Sequence, residues 1–249
     1  MLRKRGPMDV IERLAPWMYE FEFSDGTKTP LLSEALRPIH AVRRSMIFEL
    51  LGAVDFDPRA SVLDLACNEG FFSFEFARHG AAGVLGIDER PLNIEKAEYV
   101  RSRTGLTACR FAVGDVTSID LEPAAADIVL LLGIIYHVED PIRLMRRAAH
   151  AARRLLIVET QLIKPQPPVR FGWGSPEARE TADAWAMLRE DGENQLASTR
   201  GFSLVPSASA VVSVLRDIGF RSILQLHPNA RVREPQYEHV DRAMFAAFR

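Results

Sequence analysis

The segment Val62-Leu-Asp-Leu-Ala-Cys-Asn-Glu-Gly-Phe-Phe-Ser-Phe constrains this chain more than any other. An apolar run with an acid near its end leads into a turn of small and polar residues, and an amphipathic run follows. This order predicts a strand, a tight turn and a helix, the opening unit of a parallel α/β domain. Such a turn lets a ligand approach the backbone closely, and the helix start offers N–H groups with no intrahelical partner. The unit then repeats. Strands are expected at 61–65, 83–88, 108–113, 127–133 and 154–159, with helices at 70–79, 91–103 and 141–151 between them. Asp127-Ile-Val-Leu-Leu-Leu-Gly133 is a continuous apolar run suited to a strand buried on both faces. Alternation of this kind implies parallel pairing with right-handed crossovers.

Two further acids sharpen the reading. Val84-Leu-Gly-Ile-Asp88 ends in a carboxylate about two dozen residues beyond Asp64, a position suited to accepting both hydroxyls of an adenosine ribose. Phe111-Ala-Val-Gly-Asp115 ends in another acid, placed to meet an adenine edge, with Val116 beside it to pack on the adenine face. The same Gly114-Asp115 pair also reads as a simple turn.

These residues resemble motif I and the following acidic motifs of class I S-adenosylmethionine (SAM)-dependent methyltransferases, over about residues 40–249. The usual Asp-x-Gly-x-Gly-x-Gly pattern stands here as Asp64-Leu65-Ala66-Cys67-Asn68-Glu69-Gly70, and only Gly70 keeps the glycine. Ala66 is small enough for close approach, and Asn is among the few residues that tolerate positive φ. The lost glycines disfavour a dinucleotide site, where they admit a pyrophosphate. The resemblance implies a Rossmann-like fold: a seven-stranded, mostly parallel sheet ending in a C-terminal antiparallel hairpin, whose strands are read at 223–226 and 243–248. It implies SAM as cofactor, held by Asp64, Ala66, Cys67, Asn68 and Gly70 in the turn, by Asp88, by Asp115 with Val116, and by Gly133.

Three later segments resemble one family within this class more closely, the one that includes the tRNA wobble-uridine carboxymethyltransferase. They are Leu132-Gly-Ile-Ile-Tyr-His137-Val-Glu-Asp-Pro141, Leu155-Leu-Ile-Val-Glu-Thr160, and Gly201-Phe-Ser-Leu-Val-Pro-Ser207 followed by a helix and Gly219-Phe220. That RNA enzyme has a longer N-terminal part and holds a carboxylated SAM with basic residues that find no residue-by-residue match here. The family therefore implies methyl transfer and leaves the acceptor open.

His137 follows the fourth strand, where open α/β sheets place their sites. A neutral imidazole there can take a proton from an acceptor hydroxyl or amine, or it can bond loop backbone. Tyr136 is expected to close over substrate or the methionine moiety. Glu159, at the end of the fifth strand, is expected either to orient the acceptor or His137, or to be a plain strand-end acid.

Outside the repeating core lie two additions. Residues 1–52 are expected to form an N-terminal helical arm and cap on the SAM-binding domain at 53–249, and 160–205 a substrate-side insertion. Val10, Ile11, Leu14, Trp17 and Met18 recur at helical spacing, and residues 33–52 look helical with Pro38 interrupting. A short helix is expected at 177–190, capped by Ser175. The arm is expected to be peripheral and, with the insertion, to shape the acceptor site, so deleting residues 1–20 is expected to leave SAM binding largely intact while impairing methyl transfer. Trp17, Tyr19, Trp173 and Trp185 pack the additions or line an acceptor pocket, and Arg170, Arg179, Arg189 and Arg200 are surface arginines or anion contacts.

A net charge of −2 and a pI near 6.3 give no global pull toward nucleic acid or anionic membrane. Two cysteines make no disulfide framework, and no Cys/His cluster has zinc spacing, so no metal is expected. No apolar run reaches membrane-span length, and a cytoplasmic protein is expected. The leading expectation is a SAM-dependent methyltransferase acting on oxygen or nitrogen of a small-molecule acceptor. A tRNA-modifying enzyme of the same family and a non-catalytic SAM-binding protein are the alternatives. The oligomeric state is not legible.

Overall fold

The computed structural model describes residues 7–170, 180–189, 201–229, 231–232 and 234–249. Trp173, Ser175, Arg179 and Arg200, singled out above, lie outside them. The main sheet has seven strands, and the chain divides into two compact units.

The first unit comprises Met1–Ile119 and Asn229–Arg233. It carries α1 (Pro7–Arg13), α2 (Leu36–Ala53), β1 (Val62–Leu65), α3 (Phe71–Arg78), β2 (Val84–Asp88), α4 (Pro91–Thr104) and β3 (Cys109–Val113). β2 pairs in parallel with both β1 and β3. Local chemistry explains the boundaries. α4 opens with Pro91 in its first turn and ends on Gly105 at φ 68°, a left-handed stop. Pro38 does not interrupt α2: it is the third helical residue, where its missing N–H has no intrahelical acceptor to lose.

The arm differs from its helical expectation. α1 ends at Arg13, and Pro16 bars its continuation, so Trp17 and Met18 do not share a helical face with Val10. Trp17 instead forms a parallel bridge with Leu31, and its indole Nε1 donates to the Ile11 carbonyl at 2.9 Å. Nor is the arm peripheral, because Ile11, Leu14 and Trp17 are fully buried and Phe21 nearly so. A turn follows at Ser24-Asp-Gly-Thr, with Gly26 at φ 80° and Glu22 bridged to Lys28.

The second unit comprises Asp120–Pro228 and Glu234–Arg249. It holds β4 (Ala126–Leu132), α5 (Pro141–Ala151), β5 (Ala152–Gln161), β6 (Val169–Arg170), β7 (Glu180–Thr181), β8 (Trp185–Arg189), β9 (Phe202–Pro206), α6 (Ala208–Asp217), β10 (Ser222–Leu226), α7 (Pro235–Glu238) and β11 (Arg242–Phe248). The order in the main sheet is β10-β11-β5-β4-β1-β2-β3. β4 and β5 run parallel, while β11 is antiparallel to both β5 and β10. The C-terminal hairpin implied by the family resemblance is therefore present. α5 is capped by the Asp140 side chain and α6 by Ser207, each accepting from the backbone N–H three residues on.

The helix expected at 177–190 is not formed. Over the described part, Glu180–Thr181 pairs with Val169–Arg170, and Trp185–Arg189 pairs antiparallel with Phe202–Pro206. Ala, Met and Leu there favour a helix intrinsically, but a cross-strand partner decides the outcome. Among the described residues, no helix is long and apolar enough to cross a membrane.

Candidate functional site

Among the described residues, left-handed backbone is most concentrated in the turn between β1 and α3. Ala66, Asn68 and Gly70 have φ of 58°, 51° and 79°, so alternate residues take the left-handed conformation. The glycine pattern of the family marks these positions, and here two of them are held by non-glycine residues at a conformational cost. Gly70 remains glycine because a Cβ there would lie 2.6 Å from the Phe111 ring. A Cβ at Gly86 on β2 would likewise lie 2.7 Å from the Phe111 ring and 2.9 Å from the Cys67 sulfur. The Cys67 N–H donates to the Ile87 carbonyl, and burial pushes its thiol well up from the ordinary range.

Asp64 is buried and its Oδ2 accepts from Ser73 Oγ at 2.7 Å. Burial pushes its carboxyl up to about 7, with the Asp88 charge adding to the rise and the Ser73 bonds opposing it. A carboxyl raised on folding, from about 3.9 in the unfolded chain, favours the folded state most at low pH. Its contribution is full below about pH 4 and is lost as pH rises through about 7. Asp64→Asn, which keeps an acceptor for Ser73, should flatten that slope. Urea denaturation at several pH values between 4 and 8 reads it, and an unchanged slope in the variant would remove Asp64 as its source.

Asp88 is buried at the end of β2. Its Oδ2 accepts from the Asn68 N–H at 2.9 Å, and its Oδ1 from the Arg90 N–H at 3.0 Å and Asn93 Nδ2 at 2.9 Å. It thus ties the β1–α3 turn to the start of α4. Asn68 Oδ1 is buried and has no hydrogen-bond partner among the described residues. Asp115 holds its own turn: Oδ1 accepts from the Thr117 N–H and Oγ1, and Oδ2 from Ser118 Oγ. Val116 beside it is buried.

The remaining sequence-predicted residues lie in the second unit. Gly133, at φ 77°, directly follows β4 and donates its N–H to the Glu159 carbonyl at 2.9 Å. Tyr136 and His137 sit in a short helical turn, Ile135–His137, with ring centroids 4.1 Å apart. His137 is half-buried, whereas Glu159 is fully buried. Glu159 Oε1 accepts from Arg242 Nη1 at 3.0 Å and from the Tyr237 hydroxyl at 2.7 Å. Arg242 also donates to the Tyr136 hydroxyl at 3.2 Å and to Gln236 Oε1 at 2.7 Å. Glu159 therefore acts on Tyr136 through Arg242.

Sequence reasoning missed three participants. Glu69 and Lys96 form a buried ion pair at 2.8 Å in the first unit, and Arg242 organises the second. The available signals were an acid inside a turn of small residues, and one of only four lysines falling within α4.

A family model described as a methyltransferase domain matches residues 56–191, more than half of the chain. The chain belongs to the methyltransferase domain family. The resemblance to class I SAM-dependent methyltransferases is borne out in both family and fold, and SAM is the cofactor of that class. The tRNA U34 carboxymethyltransferase of Desulfotalea psychrophila is 26% identical over 191 residues, covering 75% of this chain and 54% of that protein. The O-antigen chain terminator bifunctional methyltransferase/kinase WbdD of Escherichia coli is 28% identical over 142 residues, covering 53% of this chain and 20% of that protein. The chain thus spans about half of the length of the first of these curated relatives and a fifth of the second. The crystal structure of the N-terminal domain of EvdMO1 has the same fold, with TM-score 0.69 and 24% identity, covering 98% of each chain.

Proposed function

We propose that this methyltransferase-family chain moves a methyl group from SAM to oxygen or nitrogen of a small-molecule acceptor, in the cytoplasm. The observation that carries the reading is the β1–α3 turn, with its three left-handed residues strapped to Asp88. The residues fit an adenosyl group. Asp88 already accepts three bonds, and a carboxylate offers about four acceptor sites, so its Oδ2 can take one ribose hydroxyl beside the Asn68 N–H. The unpartnered Asn68 Oδ1 can accept an N–H from the ligand's amino-acid end. Asp115 and Val116 serve the adenine, and the small side chain of half-buried Ala66 allows a ligand to approach the turn closely.

SAM supplies a methyl group already activated by positive sulfur. The chain's task is alignment, which can contribute a large share of such a rate. His137 takes the acceptor's proton as it is lost, and Tyr136, fixed by Arg242, holds the acceptor in register. The near-neutral charge supports a small acceptor over a nucleic acid. The N-terminal domain of EvdMO1, similar in fold, was crystallised in the presence of S-adenosylhomocysteine (SAH) and D-fucose, a small molecule.

Calorimetry with SAH tests the cofactor reading. The wild type should bind, and Asp88→Ala should lose about 1.5–3 kcal/mol, the scale of hydrogen bonds to a charged group. Asp88→Asn, which preserves shape, separates ribose contacts from collapse of the turn. A folded Asp88→Asn with wild-type affinity would remove Asp88 from the site. A second reading, tRNA modification, is favoured by the relative matching 75% of the chain. Methyl incorporation into tRNA, with affinity falling steeply in salt, would establish it in place of the first. SAH binding without transfer to either pool would point to a non-catalytic SAM-binding protein.

A further inference from the structure

A circuit of hydrogen bonds closes around the β1–α3 turn. Asp88 accepts from the Asn68 N–H and from Asn93 Nδ2. Asn93 lies in the first turn of α4, and three residues on, Lys96 Nζ donates to Glu69 Oε1 at 2.8 Å. Glu69 follows Asn68 directly, so the circuit returns to the turn where it began. Its other bonds leave the circuit for the arm. The Met18 N–H donates to both Glu69 oxygens at 2.9 and 3.0 Å, and the Tyr19 N–H donates to Oε2 at 3.0 Å. Lys96 Nζ also donates to the Pro16 carbonyl. The Tyr19 ring stacks on Phe71, the first residue of α3, at 4.8 Å and 8°.

Both side chains of the pair are almost completely buried, at 1% exposure for Glu69 and 5% for Lys96. A buried ion pair of this kind adds little net stability over an apolar pair of the same shape, whereas losing one partner is strongly destabilising. What the arrangement does supply is conditionality. Glu69 is satisfied only when the arm backbone at 18–19 and Lys96 are both in place. Ala66 and Asn68, in turn, hold left-handed conformations that persist only where surrounding contacts over-determine them.

We infer that Glu69 and Lys96 are positioning residues that make seating of arm residues 16–19 and formation of the cofactor turn a single equilibrium. Neither touches the ligand in this scheme; both act through the turn. The inference rests on the proposed reading of 66–70 as the SAM turn. Linkage then requires reciprocity: a ligand that fixes the turn must also fix the arm, and loosening the arm must weaken the ligand.

Amide hydrogen exchange and SAH calorimetry on the full chain test this together. In the wild type, saturating SAH should slow exchange of the Met18 and Tyr19 amides. Glu69→Gln should weaken SAH by about tenfold or more, the scale of a lost charged hydrogen bond. It should also speed exchange across 17–23 and leave exchange of β4 and β5 unchanged. Glu69→Asp, which keeps the charge on a shorter stem, should recover part of the affinity, a rescue that general destabilisation does not produce. Should Glu69→Gln not fold, the charge-neutral double variant Glu69→Gln with Lys96→Met takes its place, with the same readings. A folded variant with wild-type SAH affinity and unchanged arm exchange overturns this inference alone. A wild type that binds no SAH overturns the proposed function and this inference with it.

Discussion

His137→Ala should lower methyl-transfer turnover by about 10²–10⁴-fold, the range for a lost general acid–base group. SAH affinity should change little. The expectation comes from placement. His137 closes the short helical turn after β4, is half-buried, and lies against a Tyr136 ring whose hydroxyl is fixed by Arg242. An imidazole there is supported on one side and reachable on the other, as a proton acceptor must be. In the wild type, the acidic limb of the turnover–pH profile should report the titration of this imidazole, with activity rising as it becomes neutral. The limb should vanish in the variant. If His137 instead anchors its loop, the loss will appear as a lowered melting temperature with turnover nearly intact. Near-normal turnover with an unchanged acidic limb would eliminate the base assignment. The methyltransferase assignment would survive, because alignment alone can carry transfer to an already ionised acceptor.

The contrast between Asp88 and Glu69 shows what the sequence disclosed and why. Asp88 ends an apolar run whose period is obvious, and its partners Asn68, Arg90 and Asn93 lie within twenty residues. Strand ends of this type are legible because burial on both faces requires a continuous apolar run. Glu69 sits in the same turn, yet its partners lie 50, 51 and 27 positions away, two of them backbone N–H groups that have no signature in sequence. Glu159 repeats the lesson. As a strand-end acid it was visible, but its partner Arg242 is 83 residues on, across an antiparallel pairing set by the hairpin. The Trp185–Arg189 strand failed for a different reason. Its intrinsic preference is helical, and only the Phe202–Pro206 partner makes it extended. Pro16, by contrast, was a legible stop signal: it bars a helix through Trp17.

Deleting residues 1–20 should abolish the cooperative fold of the first unit, the reverse of what its apparent independence in the sequence suggests. The deletion removes Ile11, Leu14, Trp17 and Tyr19, all buried within that unit. At about 1.5–3 kcal/mol for each large apolar side chain, their loss is comparable with the whole stability of a typical domain, about 5–15 kcal/mol. It also strips Glu69 of both backbone donors and leaves Lys96 without the Pro16 carbonyl. Phe71 loses the Tyr19 ring stacked on it. Circular dichroism melts and size-exclusion profiles of the truncated chain should show a broadened or absent transition and association. Trp17→Ala provides the graded form of the same experiment. It empties a fully buried site and removes the bond to the Ile11 carbonyl, and should cost about 3–5 kcal/mol. Because the arm and the turn share Glu69, that loss of stability should come with weaker SAH binding. A truncated chain that melts cooperatively near the full-length temperature would show that the arm only covers the core and does not complete it.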